Sequence, residues 1–188
     1  MRNTNLIAGL VLMSGLAGAA EADLMVHLCD KVGVVALELG AAKRLATSLM
    51  AKAGIKVQFA DCGSGEPLNT REILMSIEHN VPERLQNVLG YALPYTERAN
   101  RATLNYPKIE KTSPAQTERL LGTVMAHELA HLLFRSAAHG EGLMRETWTR
   151  EDIRAMGENR LVFSAEQAAA LRAGLQARVA GTLMASAR

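Results

Sequence analysis

Hydrophobic positions in the first part of the chain alternate between strand-like and helix-like spacing. Short apolar runs at 24–28 and 55–60 flank a segment, 34–54, whose apolar residues recur every three or four positions. The short runs predict strands, and the longer spacing predicts a helix that stops at Gly54. A strand, a helix and a strand in so short a stretch predict a βαβ unit with a right-handed crossover.

Three more strand-like runs follow, at 71–78, 87–94 and 101–106. The run at 87–94 is short and ends at Pro94, which places it at or near an edge of the sheet. From Ser113 onward the pattern becomes helical. The pattern therefore predicts an α+β fold, with a mostly parallel five-stranded sheet followed by a helical C-terminal part.

Sequences typical of helix starts occur three times in the C-terminal part. Ser113 is followed by Pro114 and then by a glutamine three positions after the serine, which predicts a helix that runs into the apolar positions of 120–133. Thr149 begins a short helix. Ser164 opens a second capping box and a last helix that is apolar on one face.

The first 22 residues have the composition of a secretory signal peptide rather than of a folded element. A positive charge at Arg2 precedes an apolar, glycine-rich stretch, and Ala20-Glu21-Ala22 fits a cleavage site before Asp23. An uncleaved anchor is the alternative, but the apolar stretch is short for one. We expect residues 23–188 to form a single domain that is secreted or periplasmic and free of the membrane after cleavage.

Charge and cysteine content bear on the possible partners of the protein and on its disulfide bonding. The formal net charge is +2 with no basic block, so nothing in the sequence indicates nucleic-acid binding. Cys29 and Cys62 are the two cysteines, and each follows an apolar run. An even count in an exported protein predicts one disulfide, and parallel neighbouring strands would place both thiols at the same end of the sheet. Two buried free thiols are the alternative.

The segment HELAH, at 127–131, carries the chemistry of a metal site. On a helix, His127 and His131 lie on one face, so both imidazoles can bind one zinc ion. Glu128 lies about 100° further round the helix axis, from where its carboxylate can take a proton from a water molecule beside the ion without binding the ion. A solvated pair of helical histidines, with an exposed glutamate between them, is the alternative.

A catalytic zinc ion usually has three protein ligands, so a third must be found. His139 lies eight residues beyond His131, and Gly140 and Gly142 allow the chain to turn back. We expect His139 to be this ligand. The alternative is a later carboxylate, and the candidates are Glu141, Glu146, Glu151 and Asp152.

These residues resemble the metzincin clan of zinc metalloproteases, which have a mostly parallel sheet, a HExxH helix, a third histidine after a glycine turn and a methionine turn beneath the metal. HELAH and His139 match, and GLM at 142–144 offers Met144 as the turn methionine. The chain departs from that pattern in its wider histidine spacing and in having Phe134 at the glycine position. It is more similar to small exported bacterial proteins with the pattern HEIGHLLLG…HS…GIMR…W, although Arg135 replaces their turn glycine.

The resemblance implies a zincin-like fold and a zinc-dependent peptidase with one zinc ion per chain, in which Glu128 is the general base. It also implies that an extended peptide or protein substrate pairs with the strand nearest the cleft, for which 89–94 is the candidate. We expect a monomer. The alternatives are a secreted metal- or peptide-binding protein on a degenerate peptidase scaffold and a zinc amidase that acts on cell-wall peptide.

Overall fold

A single mixed sheet of five strands organises the fold. In a computed structural model, we describe residues 23–63, 69–96 and 100–186; the expected signal peptide, 1–22, lies outside them. The order across the sheet is β2-β1-β3-β5-β4. All neighbouring strands run parallel except β4, which runs antiparallel to β5 at the edge. The strands are β1 (Asp23–Asp30), β2 (Lys56–Asp61), β3 (Glu72–Glu78), β4 (Gly90–Ala92) and β5 (Arg101–Asn105).

Five α-helices accompany the sheet in the described residues, and four of them follow the last strand. They are α1 (Ala36–Lys52), α2 (Tyr106–Thr112), α3 (Thr117–Phe134), α4 (Arg150–Gly157) and α5 (Ala165–Ser186). α1 connects the parallel neighbours β1 and β2, so the βαβ unit is confirmed. The α+β fold with a mostly parallel five-stranded sheet is confirmed as well.

The start of the long helix differs from the prediction. We expected a helix from Ser113, but Pro114–Gln116 form a 3₁₀ turn and α3 begins at Thr117. Ser113 makes no side-chain cap because it closes a helix that the pattern did not reveal: its amide donates to the carbonyl of Ile109 at the end of α2. The other two helix starts are confirmed, since Thr149 and Ser164 both form capping boxes.

α3 is the central helix of the molecule. Every residue from Leu120 to Leu133 is buried, which explains why this stretch is apolar on all sides rather than on one face. α5 approaches the end of α3 so closely that a methyl group on Gly174 would lie 2.1 Å from the carbonyl oxygen of Leu133. Within Leu120 to Leu133, a polar side chain therefore needs a hydrogen-bond partner or a ligand.

Cys29 and Cys62 form a disulfide in the structure, in agreement with the even cysteine count. Each cysteine stands one residue beyond a pair in the parallel register of β1 and β2, where Leu28 is the partner of Asp61. The bond therefore joins the two strands at the same end of the sheet. Among the described residues, none of the helices has both the length and the hydropathy needed to span a membrane.

Candidate metal centre

Three polar side chains interrupt the apolar surface near the end of α3. His127, Glu128 and His131 are 7%, 4% and 5% exposed. The two imidazole rings lie on the same face, one turn apart, with their centroids 4.6 Å from each other. The alternative of a solvated histidine pair does not fit such burial, because polar groups withdrawn from water need partners or a ligand.

Backbone carbonyls fix the orientation of both rings. Nδ1 of His127 lies 2.8 Å from the carbonyl oxygen of Leu143, and Nδ1 of His131 lies 2.8 Å from that of Ser136. A carbonyl oxygen can only accept a hydrogen bond, so Nδ1 carries the hydrogen in both rings. In the neutral imidazoles, Nε2 is then left with a lone pair, which is the form that binds a metal ion.

The two Nε2 atoms point at each other across 2.9 Å. Two facing lone pairs at this distance repel unless a cation lies beside both. A proton is disfavoured because burial lowers the pKa of His127 to about 4 and also lowers the pKa of His131. Two imidazole nitrogens bound to one tetrahedral zinc ion lie roughly 3.3 Å apart, so these residues fit a zinc ion after a small separation of the rings.

His139 approaches the pair from the loop that follows α3. The helix ends at Phe134, and the next residue, Arg135, adopts the left-handed conformation with φ of 50° and ψ of 42°. The chain then turns back and brings the His139 ring to centroid distances of 5.4 Å from His127 and 4.8 Å from His131. Ligand atoms of the three histidines all lie within 4.8 Å of one another. Unlike the other two, His139 is exposed, so it forms the solvent side of the cluster.

The carboxylates that rival His139 are not grouped with the pair. Across the described parts of the chain, the three histidines are the one cluster of potential ligands close enough to hold an ion. Asp152 is already engaged, since it accepts hydrogen bonds from the amide and hydroxyl of Thr149 and lies 3.3 Å from Arg145. The geometry thus supports His139 as the third ligand.

Glu128 has a buried carboxyl and lies next to His127 in the sequence. Burial raises its pKa from 4.5 to about 8, because a charged carboxylate is poorly accommodated among apolar groups. Oε2 is buried and has no hydrogen-bond partner among the described residues. A group of this kind can hold a proton near neutral pH, which is what proton transfer to and from a substrate requires.

The turn Gly142–Met144 closes the site from below. Its backbone supplies the carbonyl of Leu143 that orients His127, and its last carbonyl accepts a hydrogen bond from the amide of Gly140. Met144 is 2% exposed and lies in the hydrophobic core. This arrangement fits Met144 as the turn methionine: its side chain packs in the core and anchors the turn, and it offers no polar ligand.

Trp148 has a closer relation to the site than its sequence position indicated. Its ring meets His127 edge to face, with the centroids 5.7 Å apart. The indole N–H is buried and has no hydrogen-bond partner within the described residues. The sequence carries no signal that this residue packs against a histidine of the cluster.

The remaining histidines and tyrosines lie outside the cluster. His27 is on β1, 3.6 Å from Glu72 of the neighbouring strand, and His79 is exposed after β3. Tyr106 donates a hydrogen bond to Glu38. Tyr95 stands nearer to the site, since its hydroxyl accepts a hydrogen bond from the amide of Ala137, two residues before His139.

Comparisons with known proteins identify the fold. No family model and no curated protein matches the sequence. Among solved structures, archaemetzincin from Methanopyrus kandleri is similar, with a TM-score of 0.58 and 12% sequence identity over 86% of this chain and 99% of that one. The chain therefore has an archaemetzincin-like fold, in agreement with the zincin-like fold that the resemblance implied. Its three histidines form a cluster consistent with a metzincin-like centre.

Proposed function

We propose that this protein is a zinc-dependent peptidase. One observation carries the proposal: hydrogen bonds to the backbone aim the Nε2 atoms of His127 and His131 at one point, where His139 joins them. Beside this point lies a glutamate whose pKa is raised by burial. The similarity of the fold to that of archaemetzincin supports the same proposal.

His127, His131 and His139 would hold the zinc ion. When bound there, zinc would supply a Lewis acid that polarises the scissile carbonyl and makes water a better nucleophile near neutral pH. The hydrogen bonds to the carbonyls of Leu143 and Ser136 keep both buried rings in the tautomer that binds metal and hold their orientation. Trp148 restricts the ring of His127 from the side.

Glu128 is the general base and then the general acid. Its carboxylate takes a proton from water as the water attacks, and the resulting carboxylic acid gives this proton to the leaving amine. A raised pKa suits both steps, because the group changes its protonation state at low cost near neutral pH. Its burial also limits contact with bulk water.

An extended peptide segment is the substrate in this proposal. Within the described residues, β4 ends the sheet and pairs on one side only, with β5, so its other side can pair with a peptide backbone. Exposed apolar side chains flank this strand at Val88, Leu93 and Tyr95, and they would contact substrate side chains. These features support the proposal that 89–94 is the substrate-pairing segment.

The disulfide supports an oxidising compartment, and we propose that the protein is exported and acts as a secreted or periplasmic monomer. Residues 1–22 would serve as the signal peptide and residues 23–188 as the single metallopeptidase-like domain. Cleavage can be checked by N-terminal sequencing of protein recovered from the outside of the cytoplasmic membrane. A mature chain that begins at Asp23 is expected, and an intact N-terminus would contradict the signal peptide.

Digestion of a broad peptide library tests the peptidase proposal. Zinc-loaded wild type should cleave a subset of peptides, and chelation should stop the cleavage. Glu128→Gln should still bind one zinc ion but lose cleavage, because glutamine cannot accept the proton. A wild-type protein that binds zinc and cleaves no peptide would refute the proposal and favour a metal- or peptide-binding protein on this scaffold.

A further inference from the structure

The edge strand β4 makes an unusually close contact with the metal-bearing helix. Gly90, the first residue of β4, is paired with Leu104 of β5. A methyl group added to Gly90 would lie 2.9 Å from Oε1 of Glu128 and 3.1 Å from its Cγ. It would also lie 2.9 Å from Cγ1 of Val124 on the same helix. Nonbonded carbon atoms pack at roughly 3.5–4.0 Å, so a side chain at residue 90 would have to move the side chains of Glu128 and Val124, or β4 itself.

The space left by the absent side chain is occupied by the side chains of Glu128 and Val124. The aliphatic part of the Glu128 side chain and one of its oxygens face the backbone of Gly90. Oε2 has no hydrogen-bond partner in the described residues, so hydrogen bonding to this oxygen does not fix the carboxyl. The close approach of the Gly90 backbone therefore contributes to where the carboxyl can lie.

We infer that Gly90 is a positioning residue for Glu128. Because Gly90 has no side chain, the carboxyl of Glu128 can lie against β4. This sets the position of the carboxyl relative to the histidine cluster and to a peptide paired with β4. This inference rests on the proposed function, since it gives Glu128 the role of base. Misplacement of a catalytic group by about 1 Å can lower a rate by roughly 100-fold, so small displacements are measurable.

Kinetics of Gly90→Ala test the inference directly. In the zinc-loaded protein the variant should bind one zinc ion as wild type does, because residue 90 is not among the histidine ligands. It should lose roughly 10- to 100-fold in kcat with little change in KM. Gly40→Ala is the matched control: it lies in α1, where the new methyl group would meet only Arg44, at 3.3 Å. An unchanged kcat in Gly90→Ala, or a loss confined to KM, would overturn the inference.

A second measurement separates positioning of Glu128 from simple spacing of helix and strand. The urea midpoint is measured for wild type, Gly90→Ala, Glu128→Ala and the double variant, all zinc-loaded. Because Glu128→Ala removes both atoms of that residue that the new methyl group would meet, Gly90→Ala should lower the midpoint less in that background than in wild type. An equal loss in both backgrounds would mean that Val124 alone makes the contact and would overturn the inference.

The two measurements also distinguish this inference from the proposed function. If wild type cleaves no peptide, the peptidase proposal fails, and the midpoints still decide whether the carboxyl of Glu128 occupies the space beside Gly90. If wild type is active and Gly90→Ala is equally active, the peptidase proposal stands and the positioning role is wrong.

Discussion

The buried carboxyl of Glu128 should make the metal-free protein less stable as the pH rises, and Glu128→Gln should remove this dependence. The residue is 4% exposed, and burial raises its pKa from 4.5 to about 8. Between these two values the folded protein binds more protons than the unfolded chain does. The free energy of unfolding of wild type therefore falls as the pH rises through this window. Glutamine does not titrate, so the variant lacks this contribution.

The two pKa values set the expected magnitude. Keeping this carboxyl buried costs about 1 kcal/mol at pH 5 and about 3 kcal/mol at pH 7, relative to the unfolded chain. The stability difference between wild type and variant should thus change by about 2 kcal/mol over that range. His127, with its pKa lowered to about 4, contributes the opposite slope at acidic pH. It does so in both proteins, so its contribution cancels in the difference.

Urea unfolding at pH 5, 6 and 7, followed by circular dichroism, is the assay. A chelator is present throughout, because a bound cation beside Glu128 would favour the charged carboxylate and mask the effect. Glu151→Gln, on the exposed surface of α4, is the matched control. If the difference in free energy of unfolding between wild type and Glu128→Gln is the same at all three pH values, the carboxyl is not held in an apolar environment and the reasoning fails.

Three further predictions concern other parts of the molecule. Arg135→Gly should raise the free energy of unfolding by about 0.5–1 kcal/mol, because glycine adopts a φ of 50° without steric cost; a loss of stability would contradict this. Replacing Cys29 and Cys62 together by serine should lower it by about 4 kcal/mol, given their separation of 33 residues, and an unchanged urea midpoint would refute that figure. Trp148 is the only tryptophan, and the centroid of its ring lies 5.7 Å from that of His127. One equivalent of Co²⁺ should therefore quench its fluorescence. Unchanged emission from protein that contains cobalt would place the ion elsewhere.

Local patterns were sufficient to predict most of the fold. Strand-like and helix-like spacing identified the five strands and the helix that joins β1 to β2, because burial of one or both faces of these elements dictates where apolar residues fall. Capping boxes located the starts of α4 and α5 correctly, since both depend on residues only three positions apart. Ser113 was misread for the same reason: its local sequence is also compatible with the end of a preceding helix.

The candidate site was only partly predictable. Histidine spacing indicated the pair on α3, and the following glycines indicated a turn, because both are local properties of the chain. The carbonyls of Leu143 and Ser136 could not be predicted, since every residue has a backbone carbonyl and only the fold selects which one meets a histidine. Gly90 gave no signal either: its importance depends on a contact with Glu128, which lies 38 positions further along the chain.

Arg135 shows where the sequence pointed away from the observed conformation. A left-handed residue ends α3, and related patterns have glycine there, yet the chain adopts this conformation with an arginine. Contacts beyond the local sequence help to hold it, including a long hydrogen bond from the guanidinium group to the carbonyl of Thr96. The same turn starts the loop that returns His139 to the histidine pair.

The zinc content of wild type and His139→Ala tests the central claim most directly. Both proteins are loaded with zinc, dialysed and analysed by elemental mass spectrometry, with His79→Ala as a control for an exposed histidine outside the cluster. We predict one zinc ion per chain in wild type and in His79→Ala, and almost none in His139→Ala. Zinc retained at one ion per chain in His139→Ala would contradict the three-histidine site and assign the third ligand to another residue. Absence of stoichiometric zinc from wild type would contradict the metal centre itself.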